Sequence, residues 1–391
     1  MKQLDGTLRT YPWGSRSLLA QLRGEPVPSQ KPEAELWFGA HAAAPSTVGG
    51  TGLDKLIAAD PAAELGERVR AQFDGKLPFL LKLLAADEPL SIQAHPSREQ
   101  AREGFERENA EGIAVDSPRR NYRDANHKPE LIVALTEFHA LAGFSPLERT
   151  TELFQALSCP ALDRYAAMID PDNEAGSLRA LFTTWISIPT ARREELIARV
   201  AESARGIGAD SGWLGRTARN FLSLAEQYPG DSGTLASLML NHVELSPGEA
   251  LFLAAGQPHA YLRGMGVEIM ANSDNVLRGG LTSKHVDVPE LVRILRFESF
   301  ADPSAVTTPD AGATRYEAPC DDFLLTRYEL GAGENLDVAL DGPAIALCTA
   351  GSAAGEGVEL TPGRAAWVPA SDGRVTLAAG ERGAEIFLAR A

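Results

Sequence analysis

The stretch VELSPGEALFLAAG at 243–256 recurs as VELTPGRAAWVPAS at 358–371. Each copy reads as a strand, a Pro-Gly turn and a second apolar strand, the hairpin unit from which a double-stranded β-helix, or jelly-roll barrel, is built. No other feature constrains the fold as tightly: proline and glycine stop a helix, and two copies of one unit predict two related barrels. The copies differ in one chemical respect. The first runs on into QPHAYL and places His259 just past the repeat, whereas the second has Arg374 at the matching position, and no histidine follows His285. Only the first barrel can therefore keep a histidine-based metal site.

The rest of the chain sorts around these barrels. Residues 1–145 are mainly of strand and turn character, interrupted by a helix expected at 97–109. At 145 the texture changes: Ser145 reads as an N-cap, Pro146 as the first helical residue and Glu148 as the closing member of a capping box. Leu196, Ile197 and Val200 then share one helical face, and a last helix stops at Pro229 and Gly230. The predicted architecture is mainly β with a helical insert: two cupin-like jelly-roll barrels plus an α-helical domain. The expected divisions are 1–145 and 241–300 for the two parts of a catalytic barrel, 146–240 for the insert, and 301–391 for a C-terminal barrel without a metal site.

With 53 acidic and 37 basic residues the net charge is −16, which repels nucleic acid and anionic membrane, so an anionic ligand must be held by local cations. Cys159, Cys320 and Cys348 are odd in number and far apart, which argues for buried thiols in a reducing compartment rather than a disulfide framework. The opening MKQLDGTLRTYPWG has no apolar core of the signal-peptide kind, and LPFLLKLLAA is short and broken by Lys82. A cytoplasmic protein is expected, working as a monomer.

Candidate chemistry lies at strand edges. In SIQAHPS, period-two alternation puts Ser91, Gln93 and His95 on one face and Leu90, Ile92 and Ala94 on the other. In NHKPELIVAL, Lys128 and Glu130 have the same spacing at the mouth of an apolar strand, and Lys82 stands inside FLLKLLAA; unpaired burial of such charges costs several kcal/mol, so each needs a partner. Gln93, His95, Glu130 and His259 make a mixed nitrogen and oxygen set that suits zinc and also admits iron or manganese. A glycine-containing loop farther on holds Glu268, Asp274, Arg278 and Lys284. Of the remaining histidines, His41 and His139 read as satisfied core residues, His242 and His285 lack donor spacing, and His127 could reach a ligand from the opposite face to Lys128.

The blocks YPWGS, AELWFGAH, LSIQAHPS, NHKPELIVAL and NSDNVLRGGLTSKH, in this order, resemble those of the type I mannose-6-phosphate isomerases (phosphomannose isomerases) over residues 11 to about 285. The resemblance fades in the helical insert and beyond 300, and AAAPS after WFGAH departs from the proline-containing run usual there. It implies one zinc per chain on Gln93, His95, Glu130 and His259. It also implies Ser91, Lys82, Lys128, Glu268, Tyr261, Asp274, Arg278 and Lys284 around a small-molecule sugar phosphate.

The implied reaction converts mannose 6-phosphate and fructose 6-phosphate reversibly, with a proton moving between C2 and C1 through an enediol, and it needs a base, acids for O1 and O2 and a stabiliser of the developing oxyanion. Lys128 is the favoured base, because zinc and Arg278 nearby are like charges that depress an ammonium pKa. Glu268 competes for that role, and Asp274 suits ring opening. Two rivals remain: a metal-bound sugar-binding barrel without turnover, and a cupin dioxygenase with an open iron site. The dioxygenase gives no reason for Lys82, Lys128, Arg278 and Lys284 together.

Overall fold

The Phe79–Ala86 strand is apolar on both faces because both faces are covered. Leu81, Leu83 and Ala85 enter a core shared with Tyr316, Leu325, Ile345, Trp367 and Phe387, while Leu84 and Ala86 enter a second core with Ile132, Ala134, Ala140 and Tyr261. The Glu130–Ala134 strand divides in the same way, Leu131 and Val133 to the first core and Ile132 and Ala134 to the second. A sheet buried on both sides reads as a continuous apolar run, so a charge within it marks one face.

These strands belong to a ten-stranded sheet in a computed structural model that describes residues 1–310 and 312–391. Its hub is the strand His259–Ala271. Through His259, Ala260, Tyr261 and Arg263 it pairs with Phe138–Phe144, and through His259 also with Gln93 of Ile92–Ala94; from Gly264 onward it pairs with Phe79–Ala86 and Glu130–Ala134. The change of partner falls at Gly264, whose φ of +119° and close approach to Glu137 leave no room for a side chain: a Cβ there would sit 2.6 Å from the Glu137 carbonyl oxygen. A nine-stranded sheet holds the C-terminal strands, and the N-terminal strand Lys2–Leu4 joins it by pairing with Ala365–Val368. Strand and helix take nearly equal shares, about 32% and 31%, so the chain is mainly β only narrowly.

The helices concentrate between Leu147 and Met239, with Leu147–Leu157, Glu174–Ser187, Thr190–Ile207 and Trp213–Gln227 the longest. Leu196, Ile197 and Val200 are buried together, in a cluster that reaches Ile92, Ala94 and Leu277. The insert thus backs two of the strands that carry candidate site residues. No helix among the described residues is long and apolar enough to cross a membrane. All three cysteines are free, Cys159 and Cys348 buried and Cys320 half-buried.

The two strands of each repeat do not form a hairpin. Leu240–Leu245 pairs with Phe138–Phe144, and Ala250–Leu253 pairs with Glu130–Ala134. The turn between them cannot close a ladder, because Gly248 donates its N–H to Ala134 and Glu249 accepts from Ala134. The second copy repeats this arrangement: Gly363 donates to Cys348 and Arg364 accepts from it, while the flanking strands Val358–Leu360 and Ala365–Val368 pair with different parts of Ala344–Gly355. Both turns carry a glycine of positive φ, +91° at Gly248 and +81° at Gly363.

Other expectations also need correction. Pro146 is the N-cap of Leu147–Leu157 rather than its first residue, and no Ser145–Glu148 capping box forms; the Ser145 N–H goes instead to the Met239 carbonyl. A complete box does form at Ser97 and Gln100, heading the expected helix, which runs Arg98–Ala110. Residues 1–145 contain three further helices, Leu18–Leu22, Leu53–Ala59 and Pro61–Gln72, that strand-like texture concealed. Leu90 does not stay with Ile92 and Ala94 but packs against the other core, its N–H held by the Tyr261 carbonyl.

Candidate metal centre and active site

Three strands deliver the candidate donors at their ends. His95 follows Ile92–Ala94 directly, Glu130 begins Glu130–Ala134, and His259 begins the hub strand. One donor atom from each lies within 4.8 Å of the others, and all three side chains are buried; among the described residues this is the one such group of His, Cys, Asp and Glu. The tautomers are set from outside the group. His95 Nδ1 is 2.7 Å from the Asn275 carbonyl and His259 Nδ1 is 3.0 Å from the Gln257 carbonyl, so each Nδ1–H donates outward and each Nε2 keeps a lone pair. Both Nε2 atoms are buried without a hydrogen-bond partner, 3.4 and 3.2 Å from Glu130 Oε2. Two lone pairs and a carboxylate aimed at one point repel one another unless a cation joins them, which is the donor chemistry zinc takes up. Gln93 lies directly opposite His259 across the strand pair, on the same sheet face.

The charge state agrees with ligation. Burial drives His95 down to about 4, outweighing the pull of Glu130, so its ring is neutral near pH 7. Burial opposes ionisation of Glu130, yet the Lys128 ammonium beside it holds its carboxyl well below the usual range.

Next to the donors lies a row of charges set into the inner face of the sheet. Lys82 and Glu268 are opposite each other in register, and Lys82 Nζ is 2.7 Å from Glu268 Oε2 and 3.9 Å from Glu35 Oε1. Burial alone would lower the Lys82 ammonium, but Glu268, Glu35 and Glu130 hold it above its ordinary value. Burial, followed by the like charges of Glu130 and Glu35, raises Glu268 despite Lys82. Trp37 completes the row: its Nε1 donates to Glu35 at 2.7 Å, and Lys82 Nζ stands 5.4 Å from its ring centre. Lys128 Nζ is 2.8 Å from Glu130 Oε1. The Tyr261 hydroxyl is buried with no hydrogen-bond partner, and burial, reinforced by Glu268 and Glu130, lifts it well above its ordinary range.

A group of cations stands beside these donors. Arg278 is opposite Gln93 in register, and no carboxylate pairs with Arg278 or Lys284 among the described residues. Burial and then Arg123 lower Arg278; burial, Arg278 and Arg123 lower Lys284. Arg123, Arg278 and Lys284 thus stand close enough to repel one another, with the Asp274 carboxyl beside Arg123. Asp274 is exposed at the edge of this cationic rim, its Oδ1 3.5 Å from His41 Nε2, and the His41 contact lowers its carboxyl despite partial burial. Ser91 is half-buried just before Ile92–Ala94.

Some histidines lie elsewhere than expected. His139 is not in the core: it points out of its strand into a surface cluster with Glu137, Glu244 and Arg263, because its neighbours Phe138 and Ala140 take the inner face. His127 turns away from Lys128 toward Asp322 Oδ2 at 2.7 Å. His41 is buried as expected, yet faces Asp274. His242 bonds Asn220 and the Ser237 carbonyl in the insert, and His285 is exposed. Sequence reasoning missed Glu35 and Arg123. Glu35 stands in ELWFG, a charge inside an apolar strand like Lys82, so the same argument would have found it. Arg123 lies in an aperiodic loop, where only tertiary contacts reveal it: its N–H and that of Asp124 are held by Asn275 Oδ1.

A model of the phosphomannose isomerase type I catalytic domain matches residues 1–147. Mannose-6-phosphate isomerase of Escherichia coli (strain K12) is 38% identical over 99% of this chain and 99% of its own. The human mannose-6-phosphate isomerase is 33% identical over 89% of this chain and 87% of its own. A crystal structure of mannose 6-phosphate isomerase bound with zinc and yttrium has a TM-score of 0.88 at 35% identity and covers 100% of this chain and 99% of that one. The apo form from Salmonella typhimurium gives 0.89 at 35% identity, covering 100% and 98%.

Proposed function

The chain belongs to the type I phosphomannose isomerase family, and from that premise we propose that its buried donor group and cationic rim form one active site. It is an enzyme, an aldose–ketose isomerase that interconverts mannose 6-phosphate and fructose 6-phosphate, and zinc is its cofactor. The observation that carries the reading is the pair of unpartnered Nε2 atoms on His95 and His259 facing Glu130. With Gln93 they would hold one zinc per chain, which supplies Lewis-acid polarisation of sugar oxygens.

The protein groups divide the remaining work. Arg278 and Lys284 grip the phosphate, joined by Arg123. Asp274 assists ring opening, and Ser91 and the Tyr261 hydroxyl hydrogen-bond the sugar. Lys128 takes the proton from C2 and returns it to C1; the position of its Nζ, 2.8 Å from Glu130 beside the donor group, supports that role. Glu268 is the competing base, its carboxyl raised by burial although Lys82 pairs with it at 2.7 Å. Lys82 keeps Glu268 and Glu35 compensated inside the sheet.

The equivalent turns at Gly248 and Gly363 support two related cupin-like barrels, with residues 1–145 and 241–300 forming the catalytic one, 146–240 the insert and 301–391 the barrel without a metal site. The acidic surface and the absence of membrane-spanning helices among the described residues suit a cytoplasmic monomer that binds neither nucleic acid nor membrane. A coupled assay for fructose 6-phosphate formed from mannose 6-phosphate, before and after chelation, tests the reading. Turnover that chelation abolishes and zinc restores is expected; sugar binding without turnover would favour the non-catalytic barrel.

A further inference from the structure

The C-terminal sheet sends one buried carboxylate toward the active site. Asp322 lies just ahead of the Leu324–Leu330 strand and is 1% exposed, whereas its neighbour Asp321 is exposed. Its oxygens accept from His127 Nε2 at 2.7 Å and from Arg98 Nη2 at 3.2 Å each. Arg98 Nη2 is also 2.6 Å from His127 Nε2, so the three groups meet at one point.

The placement of these two partners in the sequence is what matters. Arg98 is three residues beyond His95, at the start of the helix headed by the Ser97 capping box, and His127 immediately precedes Lys128 and stands three residues before Glu130. These two segments enter the site from different parts of the sheet, and no ladder joins Ile92–Ala94 to Glu130–Ala134. Asp322 is the buried acceptor on which the half-exposed Arg98 and the largely buried His127 converge, and removing it releases both side chains from that common anchor.

We infer that Asp322 is a positioning residue, a clamp through which the C-terminal domain fixes the His95 and Lys128–Glu130 segments relative to each other. It touches neither substrate nor metal and acts through Arg98 and His127. The inference rests on the assignment of Lys128 and the zinc ligands above. It gives the domain without donors a part in catalysis.

The test uses the full-length, zinc-loaded enzyme. Asp322→Asn keeps the volume and removes the charge; partners bonded directly to a metal ligand are worth roughly ten- to a hundredfold, and Asp322 acts one residue further out, so a loss in kcat of about tenfold, the lower end, is expected, with KM for mannose 6-phosphate within about twofold. Zinc release to a chelator should speed up by a similar factor, while Asp321→Asn changes none of these. Combining Asp322→Asn with His127→Gln should cost no more than the larger single loss, since both break one clamp. Wild-type kcat and zinc release in Asp322→Asn, or fully additive losses, would overturn the clamp. Should Asp322→Asn fail to fold, His127→Gln and Arg98→Lys, which leave the C-terminal sheet untouched, must each show the loss; wild-type behaviour in both overturns it equally. Failure of the functional assignment itself looks different, because the unmodified protein would then lack zinc-dependent turnover.

Discussion

Lys128 is held 2.8 Å from Glu130, the one candidate ligand with a charge to share between a cation and a metal. That arrangement predicts that Lys128→Met keeps its zinc and loses turnover by two or more orders of magnitude, in line with the usual contribution of a positioned base of about 10²–10⁴-fold. Zinc analysis and a coupled assay on the same sample check this; near-normal turnover would pass the role to Glu268. On the rim, Arg278→Ala and Lys284→Ala should each weaken use of mannose 6-phosphate by roughly tenfold to a hundredfold, the worth of a charge-assisted hydrogen bond of about 1.5–3 kcal/mol, and leave unphosphorylated mannose almost unaffected. Equal losses with both sugars would remove the phosphate from this surface. A charge interrupting an apolar strand drew notice at Lys82 and Glu130, while Glu35, in the same kind of strand, was passed over. Arg123 was not legible, because nothing local distinguishes it from any loop arginine until Asn275 pins its backbone.

Elements were legible where local chemistry decides them. The S-x-x-Q signal at Ser97 makes a true capping box, and Ser97→Ala should cost about 1 kcal/mol in denaturant unfolding. The S-x-x-E-like signal at Ser145 makes none, since Pro146 takes the cap and Ser145 is bonded to Met239, so Ser145→Ala should lose no capping energy. The same limit explains the repeat: a Pro-Gly turn was recognisable, but its pairing depended on Ala134 and Cys348, far away in sequence. On the Leu240–Leu245 strand, where it faces the insert, burial takes His242 from 6.5 down to about 4, against the opposing Ser237 carbonyl. The unfolded chain therefore binds more protons than the folded one between these values, so this contribution to stability is complete above about pH 6.5 and is lost as pH falls toward 4. His242→Gln should flatten the stability profile across that window; an unchanged slope would show that His242 titrates normally.

At the scale of the whole molecule, the helical run between Leu147 and Met239 was readable because apolar periodicity changes near 145 and again near 241, whereas the short helices within residues 1–145 were not. Nor was the way the two sheets share a core. Leu81, Leu83 and Val133 of the site sheet pack with Ile345, Trp367 and Phe387 of the C-terminal one, and Lys2–Leu4 completes that second sheet from the far end of the chain. Such pairings depend on which surfaces meet, which no local pattern records. The outcome is a frame that holds three donors from three strands around one point, within a protein whose overall charge disfavours anions but which sets Arg278 and Lys284, without a paired carboxylate among the described residues, beside Arg123 on the same rim. The most direct test of this account is elemental analysis and fructose 6-phosphate formation measured together on the unmodified enzyme and on His259→Ala. One zinc per chain with full turnover in the first, and loss of both in the second, is the predicted result; two equivalents of zinc, or undiminished zinc and turnover without His259, would contradict it.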